Sequence, residues 1–540
     1  MRRAAAVAIA VVVLMLAALP ALAHATLVRT DPVDGSVLEQ SPPSIRLEFD
    51  EPVMVTASSI RVYNASGARV DRGDADHAAT SLEVTVTLPD LPPGAFATTW
   101  QVVSADGHPI RGALVFEIGH SGETIDEGLI DELVGEGRSR TVAAVGWMLR
   151  WATYLASLIA AGAVVFRHRL QPTALDRVAW LVRWSVVVGI IASLLQIPVF
   201  AAESTGLGWG AIGSIPALRD ALSSSVAMAA LVRVGALAAL LIGLGRNLVF
   251  WSGLGVVGVV AAEMLTGHTR TTDPAFLVII AAAVHVFGAA IWIGGLSAFA
   301  VVYPEERQSP PEAVRLVRGF STLATWALVP LLAGGLALSS IQVGSRDALT
   351  STTYGRTLLV KISLAAIVLG VALYNNRVVV PTLTGTRVRE KVKDLWGRLG
   401  RTVRIELVGL VAVVGVTAML VNIQPAISAL GGPQSVVVPF GQNQLSVIVD
   451  PARAGTNEIH LYITTPGGLT PLITGEVTME LSMPAGDIGP IVRNPRLAGP
   501  AHFLHVGPEL AVAGEWQILL RQRVSDFEEV TAVAGVTIGR

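Results

Sequence analysis

Eight apolar runs dominate the middle of the chain. They lie near residues 141–166, 178–201, 223–244, 247–266, 275–302, 320–343, 357–376 and 405–424. Each holds about 20 residues or more, enough for a helix to span roughly 30 Å of hydrocarbon. Composition agrees. Hydrophobic residues make up 52% of the chain and charged residues only 15%, against roughly 25% charged in an ordinary soluble domain. In lipid the backbone has no water to bond, so such runs must close their own hydrogen bonds as helices. The reading is a polytopic α-helical membrane protein with eight transmembrane helices over residues 141–424.

The amino terminus carries an export signal. Arg2 and Arg3 precede an apolar stretch from Ala4 to Leu19, and Ala21-Leu22-Ala23 forms an A-x-A cleavage site. Residues 1–23 are therefore read as a signal peptide. The mature chain then begins at His24, outside the cytoplasm. With the first domain outside, the loops after runs 1, 3, 5 and 7 fall on the cytoplasmic side. The last of these carries Arg377, Arg387, Arg389, Lys391, Lys393, Arg398, Arg401 and Arg404. The opposite loops are nearly neutral, so the positive-inside rule supports an even number of spans. The chain is placed in a bacterial cytoplasmic membrane with both ends outside.

Two β-rich regions flank the bundle. Residues 24–120 break into short alternating runs such as "SIRLEFDEPV", "SLEVTVTLPDLPPG" and "GALVFEIG", separated by turn residues. Residues 425–540 repeat this habit in "LSVIVDP", "EIHLYITTPGG" and "EWQILLRQR". Both are expected to be extracytoplasmic β-sandwich or barrel domains. Residues 121–140 are acidic, polar and Gly-containing, and read as a linker.

Composition also excludes several functions. The net charge of −2 offers no basic field for nucleic acid. Cysteine is absent, so an exported chain of this kind has no disulfides and no thiolate metal sites. Any metal must be held by His, Met, carboxylate or the amino terminus. There is no D-K-T-G segment and no G-x-x-x-x-G-K-[ST] loop, which disfavours an ATP-driven pump. Transport would be driven by the ion gradient, by intracellular trapping or by the membrane potential.

The chemistry concentrates at a few positions. In "TWQVVSADGHPIRG", Asp106 and His108 are one glycine apart, a spacing that can aim two short side chains at one ion. The alternative is an ordinary Asp-Gly turn beside a solvated histidine. A free amino-terminal His24 adds an amine and an imidazole from one residue. With His108 and Asp106 the set becomes three nitrogens and an oxygen, which suits tetragonal Cu(II).

The stretches "HATLVRTDPVDGSVLEQSPPSIRLEFDEPV" and "WQVVSADGHPIRG" resemble the CopC family of periplasmic copper-binding proteins. That resemblance implies a Greek-key β-barrel and a Cu(II) site with His24, Asp106 and His108 as ligands. It also places Glu51 at an acidic position close to the ion. One branch of the family carries a Met-rich Cu(I) segment. Here Met54 is the only methionine of residues 24–120, so no thioether site is expected.

The bundle resembles CopD, the eight-span partner of CopC, through "GHTRTTDPAFLVIIAAAVHVFGAAIWIGGL". His268 falls near the outer end of the fourth run. His285 falls about ten residues into the fifth, roughly 15 Å below its outer end. An ionisable residue inside a membrane marks a functional position by default, and the alternative is a packed histidine bonded to a carbonyl. His268, His285 and Glu263 are the candidates for a transport path, with Cu(I) as a candidate species within the bundle. Met228, Met264 and Met419 read as packing. Arg150, Arg233 and Lys361 also fall within runs, and Glu263 is a candidate partner for them.

The carboxyl-terminal region resembles YtkA-like or FixH-like domains through "LSVIVDPARAGTNEIHLYI", "VTMELSMP" and "AVAGEWQILL". His460, Met479, Met483, His502 and His505 form its candidate copper set. His502 and His505 would face opposite sides of a flat strand.

The combined reading is a copper transport protein that takes up copper. Cu(II) is captured outside and passed through the bundle. Its partners are copper ions, the lipid bilayer and other extracytoplasmic copper carriers. The alternative is a sequestration or tolerance protein that transports nothing. An amino-terminal histidine also resembles the brace of copper oxygenases, but Asp106 would fill the open position, so no enzyme is expected.

Overall fold

The computed structural model describes residues 27–32, 34–49, 52–78, 80–104, 109–119, 125–135, 139–246, 248–266, 275–306, 310–344, 346–385, 389–423, 425–426, 434–450, 452–465, 471, 476–499, 501–524 and 528–539. They form two compact units. One holds the helices from Arg140 to Leu420, and the other holds both β domains and a short helix that follows the first.

The first β domain is a sandwich of two four-stranded sheets. Its strands are β1 (Leu27–Asp31), β2 (Ser36–Leu38), β3 (Ser44–Phe49), β4 (Ile60–Asn64), β5 (Asp76–His77), β6 (Glu83–Thr87), β7 (Gly94–Val103) and β8 (Pro109–Ile118). One sheet runs β1-β3-β6-β5 and the other β2-β8-β7-β4. Alternation builds the core. In β3, Ile45, Leu47 and Phe49 are buried while Arg46 is exposed. Phe49 meets Trp100 edge-on, with ring centres 5.6 Å apart. The polar 121–140 stretch is not wholly irregular. Helix α1 (Glu127–Gly135) lies within it and tucks Leu133 against Tyr63 and Ala97.

The helical unit contains α2 (Arg140–Leu170), α3 (Leu175–Thr205), α4 (Ile215–Ser223), α5 (Ser225–Arg246), α6 (Val249–Glu263), α7 (Ala275–Glu306), α8 (Pro310–Val343), α9 (Arg346–Ser351), α10 (Thr353–Tyr374), α11 (Val380–Gly385) and α12 (Arg389–Leu420). Among the described residues, seven helices are long and apolar enough to cross a membrane. This differs from the eight expected from the apolar runs. The fourth run becomes α6, an apolar helix of 15 residues, about 22 Å at 1.5 Å per residue and short of the hydrocarbon thickness.

Small residues let the helices touch. Gly162 of α2 and Gly294 of α7 face each other so closely that a Cβ on Gly294 would sit 2.6 Å from the Gly162 Cα. A Cβ on Gly162 would overlap the Ala290 carbonyl. Glycine at a helix crossing allows this approach of backbones. Across the α2–α12 contact, Trp147 and Trp151 donate their indole N–H groups to the Gly415 and Val411 carbonyls, at 3.0 and 3.1 Å.

The second β domain is a sandwich of a five-stranded and a four-stranded sheet. Its strands are β9 (Gln434–Phe440), β10 (Asn443–Asp450), β11 (Asn457–Thr464), β12 (Val477–Met483), β13 (Ile488–Arg493), β14 (Arg496–Gly499), β15 (His502–Gly507), β16 (Gly514–Arg523) and β17 (Glu529–Ile538). The sheets run β14-β15-β11-β10-β9 and β13-β12-β16-β17. Trp516, Ile459, Leu461 and Leu481 fill the space between them.

The Gly162 contact yields a prediction. Gly162→Ala should destabilise the helical unit by about 1–3 kcal/mol through overpacking. Gly370→Ala, whose Cβ meets nothing within 4 Å, should be neutral or stabilising by up to about 1 kcal/mol. Thermal unfolding of both variants in detergent checks the ordering.

Candidate functional site

His24, Glu51, Asp106 and His108 lie outside the described residues, as does His268. The described residues flanking the first four converge. Leu27, at the start of β1, pairs with Phe49, at the end of β3. Farther on, Met54 bridges Val103, with N···O distances of 2.8 and 3.2 Å. Val103, at the end of β7, pairs with Pro109, at the start of β8. Thus strand pairing gathers the chain entering and leaving three separate sequence stretches.

His285 sits on α7 at the α8 contact. Its Nδ1 donates to the Leu331 carbonyl at 2.7 Å, which leaves Nε2 as the nitrogen available to an ion. Gly334 and Gly335 make room for the ring, since a Cβ on Gly335 would stand 3.0 Å from His285 Nδ1 and Cε1. The bond to a carbonyl is what a packed histidine makes, and it also orients a ligand.

Glu263, at the end of α6, is the partner of Arg233 on α5. The guanidinium reaches one carboxylate oxygen through Nε at 3.2 Å and Nη2 at 3.1 Å. Arg233 is only 3% exposed. Glu263, expected from the sequence on a transport path or as a partner for the arginines, has the partner geometry.

A polar cluster that residue spacing does not mark lies where α10 meets α12. Glu406 is 3% exposed and accepts a hydrogen bond from Asn375 Nδ2. Thr402 donates to Asn375 Oδ1 at 2.7 Å. Asn375 opens a π-helical turn, Asn375–Val379, a local widening that often accompanies functional positions. Its signal in the sequence is a glutamate second in the last apolar run, just after Arg398, Arg401 and Arg404.

The five candidates of the second β domain do not form one group. Met479 and Met483 are buried in the core between the sheets. His505 pairs with inward-facing Ile459, and its Nε2 meets Glu509 at 3.1 Å. Glu509 also accepts from Arg493 at 2.6 Å. His502 faces the other side, where Tyr462 is its partner across the ladder. On that side His460 Nδ1 and His502 Nε2 approach to 3.0 Å, and Tyr462 stacks on His502 with ring centres 4.2 Å apart. Arg29 of β1 lies over the Tyr462 ring at 5.2 Å. Among the described residues no group of three or more His, Asp or Glu could hold a metal ion.

Comparison with known proteins agrees with this architecture. Residues 27–119 match the CopC domain, and residues 314–420 match the family described as Copper resistance protein D, or CopD. The chain joins a CopC domain and a CopD domain. Copper transport protein CutJ of Bacillus subtilis (strain 168) is 26% identical over 481 residues, covering 85% of each chain. Copper resistance protein C of Xanthomonas campestris pv. juglandis is 28% identical over 123 residues, covering 22% of this chain and 96% of that protein. The crystal structure of CopC from Methylosinus trichosporium OB3b is 28% identical over 19% of this chain and 100% of its own, with a TM-score of 0.17. The CopC match lies within the first sandwich, and the CopD match takes in α8, α10 and α12.

Two predictions follow from these polar groups. Glu263→Ala strands the buried Arg233 charge in the CopD-bearing unit and should cost about 3–5 kcal/mol, whereas Glu263→Leu combined with Arg233→Met should recover most of it. Unfolding in detergent measures both. In the second sandwich, burial lowers the His502 pKa to about 4 from its ordinary 6.5, with the charges of His460, Arg29 and Arg496 acting the same way. The unfolded state then binds more protons, so stability falls as pH drops from above 6.5 towards 4. His502→Gln should flatten that acid limb in thermal melts at pH 7, 5.5 and 4.

Proposed function

We propose that this protein carries copper inward across a bacterial cytoplasmic membrane, capturing Cu(II) outside with its CopC domain. One observation carries the reading: a CopC domain and a CopD domain occur in a single chain. The relative that matches most of its length is named a copper transport protein. A capture domain fused to a bundle holds the ion close to the membrane, so transfer needs no second diffusional encounter.

The donor set suits the cargo. An amino-terminal amine, two imidazoles and a carboxylate offer N and O ligands, and Cu(II) binds such sites most tightly among the divalent first-row ions. His24, Asp106 and His108 would supply them, with Glu51 near the ion. The pairing of Leu27 with Phe49 and of Val103 with both Met54 and Pro109 supports this, because it draws their neighbouring chain segments together.

Within the bundle His285 is the best receiver among the described residues. Its Nδ1 is fixed by Leu331, so Nε2 keeps the lone pair that a metal needs. His268 is the proposed entry ligand, and Cu(I) the proposed species inside. Glu263 stabilises Arg233 in this scheme and carries no copper.

Cell-associated copper at low external copper tests the proposal. Expression should raise it above that of cells lacking the chain. His285→Ala should return it to that baseline, and His108→Ala should lower uptake most at the scarcest copper. Level or falling copper in cells whose purified chain still binds Cu(II) would turn the reading to tolerance by sequestration.

A further inference from the structure

The outer face of the five-stranded sheet holds a pair of imidazoles that the transport reading does not use. His460 on β11 and His502 on β15 belong to adjacent strands, displaced by two pairs along the ladder and so on one face of the sheet. His460 Nδ1 and His502 Nε2 are 3.0 Å apart. The ring centres are 5.3 Å apart and the planes differ by 16°. That centre separation equals the N···N distance plus the two ring radii. The nitrogens therefore lie on the line joining the rings, which meet edge to edge in nearly one plane. Their two σ-directions point at each other along one axis, with a single proton between them.

The surroundings hold this geometry. Tyr462 stacks on His502 at 4.2 Å. Glu458, next but one along β11, places Oε2 3.5 Å from His460 Nε2. A carboxylate at the far nitrogen of an imidazole sets the tautomer that frees the near nitrogen, the arrangement found behind metal-binding histidines.

We propose that His460 Nδ1 and His502 Nε2 hold a monovalent copper ion between them in place of the shared proton, which moves to His502 Nδ1 so that both rings stay neutral. Two facing, nearly collinear nitrogens fit the two-coordinate geometry that a d10 ion accepts and that Cu(II) does not. Loading requires the rings to part by about the length that separates a hydrogen bond from two metal–nitrogen bonds of about 2.0–2.1 Å. Both rings keep part of their surface exposed, which leaves the ion a route to the nitrogens. The proposal rests on the copper reading above and adds a second site to it. Arg29 stands five residues after His24 in the sequence, so the pair adjoins the strand that leads out of the proposed capture site.

The experiment uses the full chain in detergent, under anaerobic conditions, with the coloured Cu(I)–bicinchoninate complex as competitor. Wild type should withdraw one more equivalent of Cu(I) than His460→Gln or His502→Gln. His505→Gln, altered on the opposite face, should withdraw as much as wild type. Glu458→Gln should weaken this equivalent roughly 10–100-fold while the stoichiometry stays. Circular dichroism melts identify any variant that fails to fold, and the three substitutions at the pair and its carboxylate then stand in for one another. Equal withdrawal by wild type and both folded histidine variants would overturn the proposal. Electron paramagnetic resonance on separate aerobic samples of the same protein, given one equivalent of Cu(II), reads the capture site independently. Loss of that signal in wild type would sink the capture reading, and its presence without the extra Cu(I) equivalent would sink only the imidazole pair.

Discussion

An apolar bundle must satisfy its own polar groups, and this constraint organises the helical unit. Arg233 is matched by Glu263, Glu406 by Asn375, and the indoles of Trp147 and Trp151 by the carbonyls of α12. His285 gives its Nδ1 proton to Leu331. Each bond crosses between helices, so each also fixes how two helices pack. The glycines make this possible, because Gly162, Gly294, Gly334 and Gly335 remove the side chains that would hold the backbones apart. Apolar packing alone would leave helix rotation loosely specified. A buried polar pair penalises every rotation that breaks it.

The β domains obey the other period. Side chains alternate across each strand, so one face builds a core and the other is free for chemistry. In the second sandwich this rule separates the candidates cleanly. Met479 joins the core, His505 meets Glu509, and His460, Tyr462 and His502 share the opposite face. In the first sandwich the same pairing rules bring together the strand ends next to the stretches that resemble a Cu(II) site.

Much of the architecture was legible in the sequence. Seven of the eight apolar runs became helices long enough to cross a membrane, because hydrophobic length is a property of contiguous residues. The fourth run fell short: its helix closes at Glu263, after 15 residues. The Asp106–His108 motif and the expected His24 terminus were visible as residue types at a telling spacing. Glu406 was visible too, but its role depends on Asn375, 31 positions away.

The sequence by itself determined the order of parts: a β domain, an apolar bundle and a second β domain, with copper-type ligands and no cysteine. These follow from local composition and from periods of two and 3.6 residues. Tertiary structure alone decided which polar groups meet. His460 and His502 stand 42 positions apart, and Arg233 and Glu263 stand 30 apart. Strand register joins the first pair and helix packing the second, and neither is encoded in any short stretch of chain.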